Sequence, residues 1–173
     1  MLRLAGLLLA ISALIALTSC STSEVGNRQN TSRSFTTVVV DAGHGGKDSG
    51  AVRRYGPPEK SATLDVAQRL NRKLRESQFH TVMTRSNDTF ISLDERVAIG
   101  NRTPNSVFVS IHFNDARRRG VHGFETYYNS PYARSLADRI QRKLMSMRGA
   151  SNRGVRSANF RVIRKATFPS VLV

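Results

Sequence analysis

Two histidines and one glutamate occupy positions from which they could hold a metal ion. His44 follows the β-branched run at residues 35–40, and His112 follows the apolar run at residues 106–111. In an open α/β sheet, residues just past the carboxyl ends of strands converge on a shared crevice. Glu59 begins a long helical pattern, directly after a Gly-Pro-Pro turn. Two histidines and a glutamate form the ligand set of catalytic zinc sites that keep one position for water.

Each of these three residues also has an ordinary structural interpretation. His44 stands in a glycine-rich turn, His112 could be a hydrogen-bonded residue at a strand end, and Glu59 places favourable negative charge at a helix N-terminus. For each residue taken alone, the structural interpretation is preferred over metal binding. Taken together, the three residues favour a metal site, although the sequence has no compact His-x-x-x-His motif. Zinc would lower the pKa of a bound water to about 7, and a nearby carboxylate would pass the proton to a leaving nitrogen.

The elements that must position these residues alternate between strand-like and helix-like patterns. This alternation predicts a single three-layer α/β domain, with a mostly parallel or mixed twisted sheet flanked by helices. The predicted helices are residues 59–77, a helix reaching about Arg102 behind a capping box at residues 92–95, and a helix capped by Ser130 and Pro131. The predicted strands are residues 35–40, 80–84, 106–111, 123–128, 160–163 and 170–173.

The first twenty residues predict export. A positive charge at Arg3 precedes an apolar run at residues 4–17, which has the length of a signal-peptide core and falls short of the roughly 20 residues that span a bilayer. The group Leu17-Thr18-Ser19-Cys20 resembles the bacterial lipobox, and Cys20 is the only cysteine. An ordinary signal peptide ending in a lone cysteine is the alternative. We predict a lipoprotein acylated at Cys20, facing the periplasm or cell surface, and sorted to the outer membrane where the host has one.

Two further segments complete the predicted organisation. Residues 21–34 are small and polar and predict a flexible tether, and residues 35–173 form the domain. The chain carries 27 Lys and Arg against 12 Asp and Glu, a net charge of +15. This charge favours a polyanionic partner or simply keeps the protein in solution. No nucleic-acid-binding motif accompanies it and the export signal opposes that role, so we predict no nucleic acid partner.

Several segments, in order along the chain, are similar to motifs of the zinc-dependent N-acetylmuramoyl-L-alanine amidases (type-3 amidase family). The similarity extends from Thr37 to Val173, and Ala42 stands where many members carry proline. The segments that carry the resemblance are residues 38–51, Glu59-Lys60 with Leu64-Asp65, Thr84-Arg85, and residues 92–97, 110–114, 123–128, 152–155 and 169–173.

The resemblance implies a phosphorylase/hydrolase-like domain that cleaves peptidoglycan. The bond cut would be the amide between the lactyl group of N-acetylmuramic acid and the L-alanine of the stem peptide. Zinc would be held by His44, Glu59 and His112, and we assign Asn114 and Arg85 as candidate substrate-binding residues.

The catalytic base is the position at which the sequence departs from the family. In the family, the segment matching residues 169–173 runs into a glutamate that serves as acid and base, and this sequence reaches only Val173. Glu125 is the remaining carboxylate expected near the site and would be a weak substitute. We therefore expect strongly impaired activity from the chain as given. The alternative is a catalytically inactive, zinc-containing lipoprotein that binds the cell wall.

The connection after residues 123–128 predicts how the cleft is controlled. Amidases of this family that act in cell division often carry a long insertion here, whose helix covers the zinc. In this chain only residues 129–132 precede the next helical pattern. We therefore predict an open cleft that requires no activator protein.

Overall fold

The computed structural model describes residues 28–52, 56–113 and 122–173. Cys20 and Asn114 lie outside these ranges. Within them, no helix combines the length and apolar character needed to cross a membrane. The helices are α1 (Glu59–Glu76), α2 (Leu93–Arg102), α3 (Pro131–Met145) and α4 (Arg161–Arg164), and the strands are β1 (Thr37–Ala42), β2 (His80–Met83), β3 (Ser106–Ile111), β4 (Phe124–Tyr128), β5 (Asn152–Ser157) and β6 (Ser170–Leu172).

The six strands form one mixed sheet in the order β2-β1-β3-β6-β4-β5. The strands β2, β1, β3 and β6 are parallel, and β4 runs antiparallel to β6. The register of the central pair places Asp41 opposite Ser110 and Ala42 opposite Ile111. Because β1 and β3 end side by side, the residues that follow them emerge at the same edge of the sheet.

The alternation along β1 divides the core between the two faces of the sheet. Val38 and Val40 pack in one cluster with Ala67 of α1 and Ala137 of α3, and Val39 packs in the other. The second cluster includes Val97 of α2 with Val162 and Ile163 of α4. Helices therefore cover both faces, and the predicted three-layer α/β domain is confirmed.

Helix α2 begins where its sequence predicts. The Ser92 hydroxyl accepts a hydrogen bond from the Glu95 backbone N–H at 3.2 Å, so the N-terminal cap is formed by the predicted serine. The start of α1 at Glu59 also agrees with the prediction.

The prediction between residues 150 and 164 is wrong in two respects. Residues 160–163 were expected to form a strand, but Arg161–Arg164 form the helical turn α4. A short apolar run cannot by itself distinguish a strand from a buried helical turn. The edge strand β5 was not predicted, because Val155 is its only apolar side chain and the strand shows no alternating pattern.

Part of the predicted tether lies against the domain. The Thr31 hydroxyl donates to the Ser106 carbonyl at 2.5 Å, and the Gln29 N–H donates to the Thr167 carbonyl at 2.9 Å. Thr31 and Ser32 are both buried. Within the segment predicted to be a flexible tether, Thr31 and Ser32 are therefore packed against the domain.

Candidate metal centre

The side chains of His44, Glu59 and His112 converge at the sheet edge where β1 and β3 end. His44 follows β1 by two residues, His112 follows β3 directly, and Glu59 is the first residue of α1. The two imidazole rings lie 4.8 Å apart between centroids, at an interplanar angle of 77°. One ligand atom from each of the three residues lies within 4.8 Å of the others, so the group could hold a metal ion.

Glu59 lies between the two histidines. Its Oε1 is 3.1 Å from His44 Nε2 and 3.3 Å from His112 Nδ1. The same oxygen accepts the Phe113 N–H at 2.7 Å, and Oε2 accepts the Ala51 N–H at 3.0 Å. Burial alone would raise the pKa of Glu59, but the hydrogen bonds with His112 and the two backbone amides outweigh it and lower the pKa to about 2. Glu59 is therefore a carboxylate anion at neutral pH, the form that binds a metal.

Asp48 orients the ring of His44. His44 Nδ1 lies 3.0 Å from both oxygens of the Asp48 carboxylate, which directs Nε2 toward Glu59. Burial raises the pKa of Asp48, but the hydrogen bonds from the Gly50 N–H and from His44 outweigh this effect, so the pKa is lowered overall. A carboxylate behind a metal-binding histidine fixes its tautomer and makes it a stronger ligand.

Two glycines leave just enough room for these ligands. A Cβ atom on Gly43 would lie 2.5 Å from the His112 ring. A Cβ atom on Gly50, which has a left-handed φ of +64°, would lie 2.6 Å from His44 Cδ2 and 2.8 Å from Glu59 Oε2. The donor set of two imidazoles and one carboxylate suits Zn²⁺, and the surrounding backbone permits its side chains to meet. The residues present therefore fit a zinc site.

A buried ion pair holds the loop that carries His44. Arg96 Nη1 donates to Asp41 Oδ1 at 2.6 Å, and both side chains are almost fully buried. Asp41 also accepts hydrogen bonds from the hydroxyls of Thr84 and Ser110, each at 2.6 Å. The remaining donors of Arg96 reach the backbone on either side, including the Ala42 carbonyl at 2.6 Å. The network connects α2 to the end of β1.

Arg85, predicted to bind substrate, is buried beside the loop that carries His44. It is 4% exposed, and its donors are directed at backbone carbonyls. Nε donates to Ala42 at 2.9 Å, while Nη2 donates to Gly43 and Lys60, both at 2.8 Å. These contacts tie the turn before His44 to the start of α1. Arg85 therefore positions the loop that carries His44, and its contact with substrate stays a prediction.

Glu125 is already engaged by two donors. Its carboxylate accepts hydrogen bonds from the Tyr127 hydroxyl and from Arg153 Nε. Burial raises the pKa of Glu125, but these two hydrogen bonds outweigh it and hold the pKa below its usual value. Glu125 lines the same apolar groove as His112, which lies between α1 and α3 and has a volume of about 780 Å³. A carboxylate stabilised as an anion in this way is poorly suited to collect a proton.

The sequence interpretation missed Asp48, Asp41 and Arg96. Asp48 could have been found, since it lies four residues after His44 in a tight glycine-rich turn. Asp41 and Arg96 are 55 residues apart, and only the packing of α2 on the sheet brings them together.

Comparison with known proteins places this site in a family. The family model described as N-acetylmuramoyl-L-alanine amidase matches residues 38–173. Over 79% of its length the chain is 44% identical to N-acetylmuramoyl-L-alanine amidase LytC of Bacillus subtilis and 34% identical to the probable cell wall amidase LytH of Staphylococcus aureus. It spans 28% and 46% of these two relatives.

Solved structures give the same result. The catalytic domain of the amidase CwlV from Bacillus (Paenibacillus) polymyxa superposes with a TM-score of 0.75 at 39% identity, covering 80% of this chain and 78% of that one. The amidase AmiC2 of Nostoc punctiforme has the same TM-score and identity, covering 79% and 76%. The chain belongs to the N-acetylmuramoyl-L-alanine amidase family.

Proposed function

We propose that this chain is a zinc-dependent peptidoglycan amidase that hydrolyses the bond between N-acetylmuramic acid and the L-alanine of the stem peptide. The observation that carries the proposal is the convergence of His44, Glu59 and His112 within 4.8 Å, in a chain of this family. The names of its relatives refer to this bond and to the cell wall.

The residues of the site have separate roles in this proposal. His44, Glu59 and His112 would hold the ion, and bound zinc would supply a water of lowered pKa and polarise the scissile carbonyl. Glu59 contributes the negative charge that offsets the cation, since its pKa of about 2 keeps it ionised. Asp48 holds the His44 ring, and Arg85 holds the turn through the Ala42 and Gly43 carbonyls.

The proton-transfer group is a separate question, because the described carboxylates beside the site are committed elsewhere. Glu59 lies between the histidines, Asp48 faces His44, and Glu125 is held by Arg153 and Tyr127. We assign the role to the glutamate that, in the family, follows the segment matching residues 169–173. The backbone N–H of His112 donates to the Val173 carbonyl at 2.9 Å, so the end of the segment that precedes this glutamate in the family lies beside the cluster.

The engagement of Glu125 also supports a second candidate function, a zinc-containing lipoprotein that binds the cell wall without cutting it. In this case the site would bind zinc and wall fragments but would not release stem peptides. The two functions share the metal centre and differ only in turnover.

The test combines metal analysis with an assay on purified peptidoglycan. The zinc content of the purified chain is measured, together with newly released alanine amino groups. His44→Ala and His112→Ala should lose the metal, and the matched control His80→Ala should retain it, since His80 is exposed on β2. The assay is repeated on the chain extended by the family's glutamate and closing segment, and zinc without released amino groups in both forms would favour the wall-binding function. Full zinc content in both ligand variants would contradict the site.

We also propose that the protein is exported and anchored through a lipid on Cys20. The cell-wall association of its relatives supports export. Anchoring would hold the cleft near the membrane surface.

A further inference from the structure

A second, smaller cavity lies directly beside the metal centre. It has a volume of about 80 Å³, and His44 and His112 are among the residues that line it. Apolar side chains from three other parts of the chain complete it, namely Phe90 and Ile91 before α2, Leu93 at the start of α2, and Val162 of α4.

The polar groups at this cavity are satisfied by one another. Asp41 and Arg96 both border it, but they are paired at 2.6 Å, and the Asp48 carboxylate, which also borders it, faces His44 Nδ1 at 3.0 Å. Arg96 also donates to the Ile91 carbonyl at 3.0 Å and to the His44 carbonyl at 2.5 Å. The cavity therefore offers an incoming group mainly apolar surface, and it favours an apolar ligand over a charged one.

The rim of the cavity is open to a ligand from solvent. Leu93 is 52% exposed and Phe90 is 40% exposed, whereas Val162, at the inner wall, is 4% exposed. Lys47 Nζ lies 4.6 Å from the centre of the Phe90 ring. Large apolar side chains that stay exposed beside a reactive centre are typical of a binding surface.

The volume limits what the cavity can accept. A cavity of about 150 Å³ in a protein core holds benzene, and one water occupies about 30 Å³ in the liquid. A cavity of about 80 Å³ therefore has room for a methyl group or another small alkyl group, and it is too small for an aromatic ring.

We infer that this cavity is a subsite for a methyl group on the carbon next to the scissile amide bond. The inference rests on the proposed function, whose substrate carries such a methyl on each side of the bond: one on the lactyl group and one on the alanine. Because both histidines line the cavity, a group seated there lies beside the candidate metal centre. Burial of one such carbon contributes about fourfold to a binding constant.

The first test compares three uncleavable ligands on the zinc-loaded chain by calorimetry. The parent ligand is N-acetylmuramoyl-L-alanine with the amide N–H replaced by CH2. The second ligand lacks the methyl group of the alanine, and the third has a glycolyl group in place of the lactyl group. Either the second or the third ligand should bind about fourfold more weakly than the parent. The ligand that binds more weakly shows which methyl group occupies the cavity. Equal binding of all three would overturn the subsite and leave the proposed function standing. No binding of the parent would count against both.

The second test changes the size of the cavity. Val162→Ala should enlarge it and raise the affinity for a ligand with an ethyl group, relative to the methyl parent, by about fourfold. The matched control is Val97→Ala, because Val97 is buried in the same core cluster but does not line the cavity. An equal ethyl-to-methyl ratio in both variants would overturn the inference.

A further variant tests the inference even if Val162→Ala folds poorly. Leu93→Trp changes an exposed rim residue and should block the cavity without disturbing the core. It should weaken the parent at least fourfold, leave the ligand without the bound methyl unchanged, and retain its zinc. The control is Lys73→Trp on α1, because the Lys73 side chain is 79% exposed and lines neither this cavity nor the apolar groove beside His112. Unchanged binding of the parent to Leu93→Trp would overturn the subsite.

Discussion

Arg96 Nη2 donates a hydrogen bond of 2.5 Å to the backbone carbonyl of His44, which has a left-handed backbone with φ of 61°. A residue other than glycine in this conformation is strained by about 1–3 kcal/mol. The guanidinium is fixed in turn by Asp41, so a residue of α2 stabilises the strained backbone of this candidate metal ligand. The direction of the His44 ring thus depends on a residue 52 positions later in the chain.

Replacing Arg96 should weaken metal binding as well as stability. Arg96→Gln leaves the buried Asp41 without its cation, which should cost about 3–5 kcal/mol of unfolding free energy. Because the His44 loop loses its support, zinc affinity should fall about 10–100-fold. Chemical denaturation and a competitive zinc chelator measure the two effects. Arg69→Gln is the control, since this exposed arginine pairs with Asp65 on α1 and should change stability by less than about 0.5 kcal/mol. Wild-type zinc affinity in folded Arg96→Gln would contradict the positioning role.

Gly50→Ala should remove the metal through a steric clash. Gly50 and Gly149 both have a left-handed φ, +64° and +77°, so alanine should destabilise either position by about 1 kcal/mol. Only at Gly50 would the new Cβ meet the metal ligands, since Gly149 has no heavy atom within 4 Å of its Cβ position. Zinc content should therefore fall in Gly50→Ala and stay at the wild-type level in Gly149→Ala. Equal zinc content in both variants would show that strain alone accounts for the substitution.

The lowered pKa of Glu59 predicts a specific pH dependence of the metal-free chain. The folded-state pKa is about 2, below the usual value of 4.5. The unfolded state therefore binds the proton more readily, so the stabilisation is complete above pH 4.5 and is lost as the pH falls toward 2. We expect the difference in unfolding free energy between wild type and Glu59→Gln to shrink over this window. Urea unfolding at pH 5.5, 4 and 2.5 checks it, and a constant difference would contradict it.

The convergence of the three candidate metal ligands could be predicted from the sequence, and most of what positions them could not. His44 and His112 follow β-branched runs, and a strand-end position can be recognised without knowing the strand order. Arg85 and Arg96 look alike in the sequence, since each is a charged residue in a polar segment. Their roles depend on which backbone carbonyls they reach, and the pairing of β2 with β1 and the packing of α2 on the sheet decide that. For this reason Arg85 was expected to contact substrate although it is buried.

The predicted lipid should be attached through the sulfur atom of Cys20. Cys20 is the only cysteine, so Cys20→Ser removes every thiol that could be acylated. Metabolic labelling with a radioactive fatty acid should mark the wild type and leave Cys20→Ser unlabelled. The variant should also leave the membrane fraction, since a single signal-peptide core is shorter than a membrane span. Labelled Cys20→Ser that still fractionates with membranes would rule out the lipobox.

The cleft should bind substrate without an activator protein. Only Asn129 and Ser130 separate β4 from α3, and Ser130 caps α3 by accepting the Tyr132 N–H at 3.3 Å. One turn of an α-helix needs about 3.6 residues, so this connection cannot form a helix that reaches back over the histidines. The zinc-loaded chain should therefore bind the uncleavable N-acetylmuramoyl-L-alanine ligand with the same affinity whether or not an extract of cell-envelope proteins is present. Calorimetry gives the affinity of the purified chain, and competition against a fluorescent form of the ligand gives it in the extract. His44→Ala serves as the control for binding that does not involve the metal centre. Binding that appears only after the extract is added would show that the cleft must be opened by a partner.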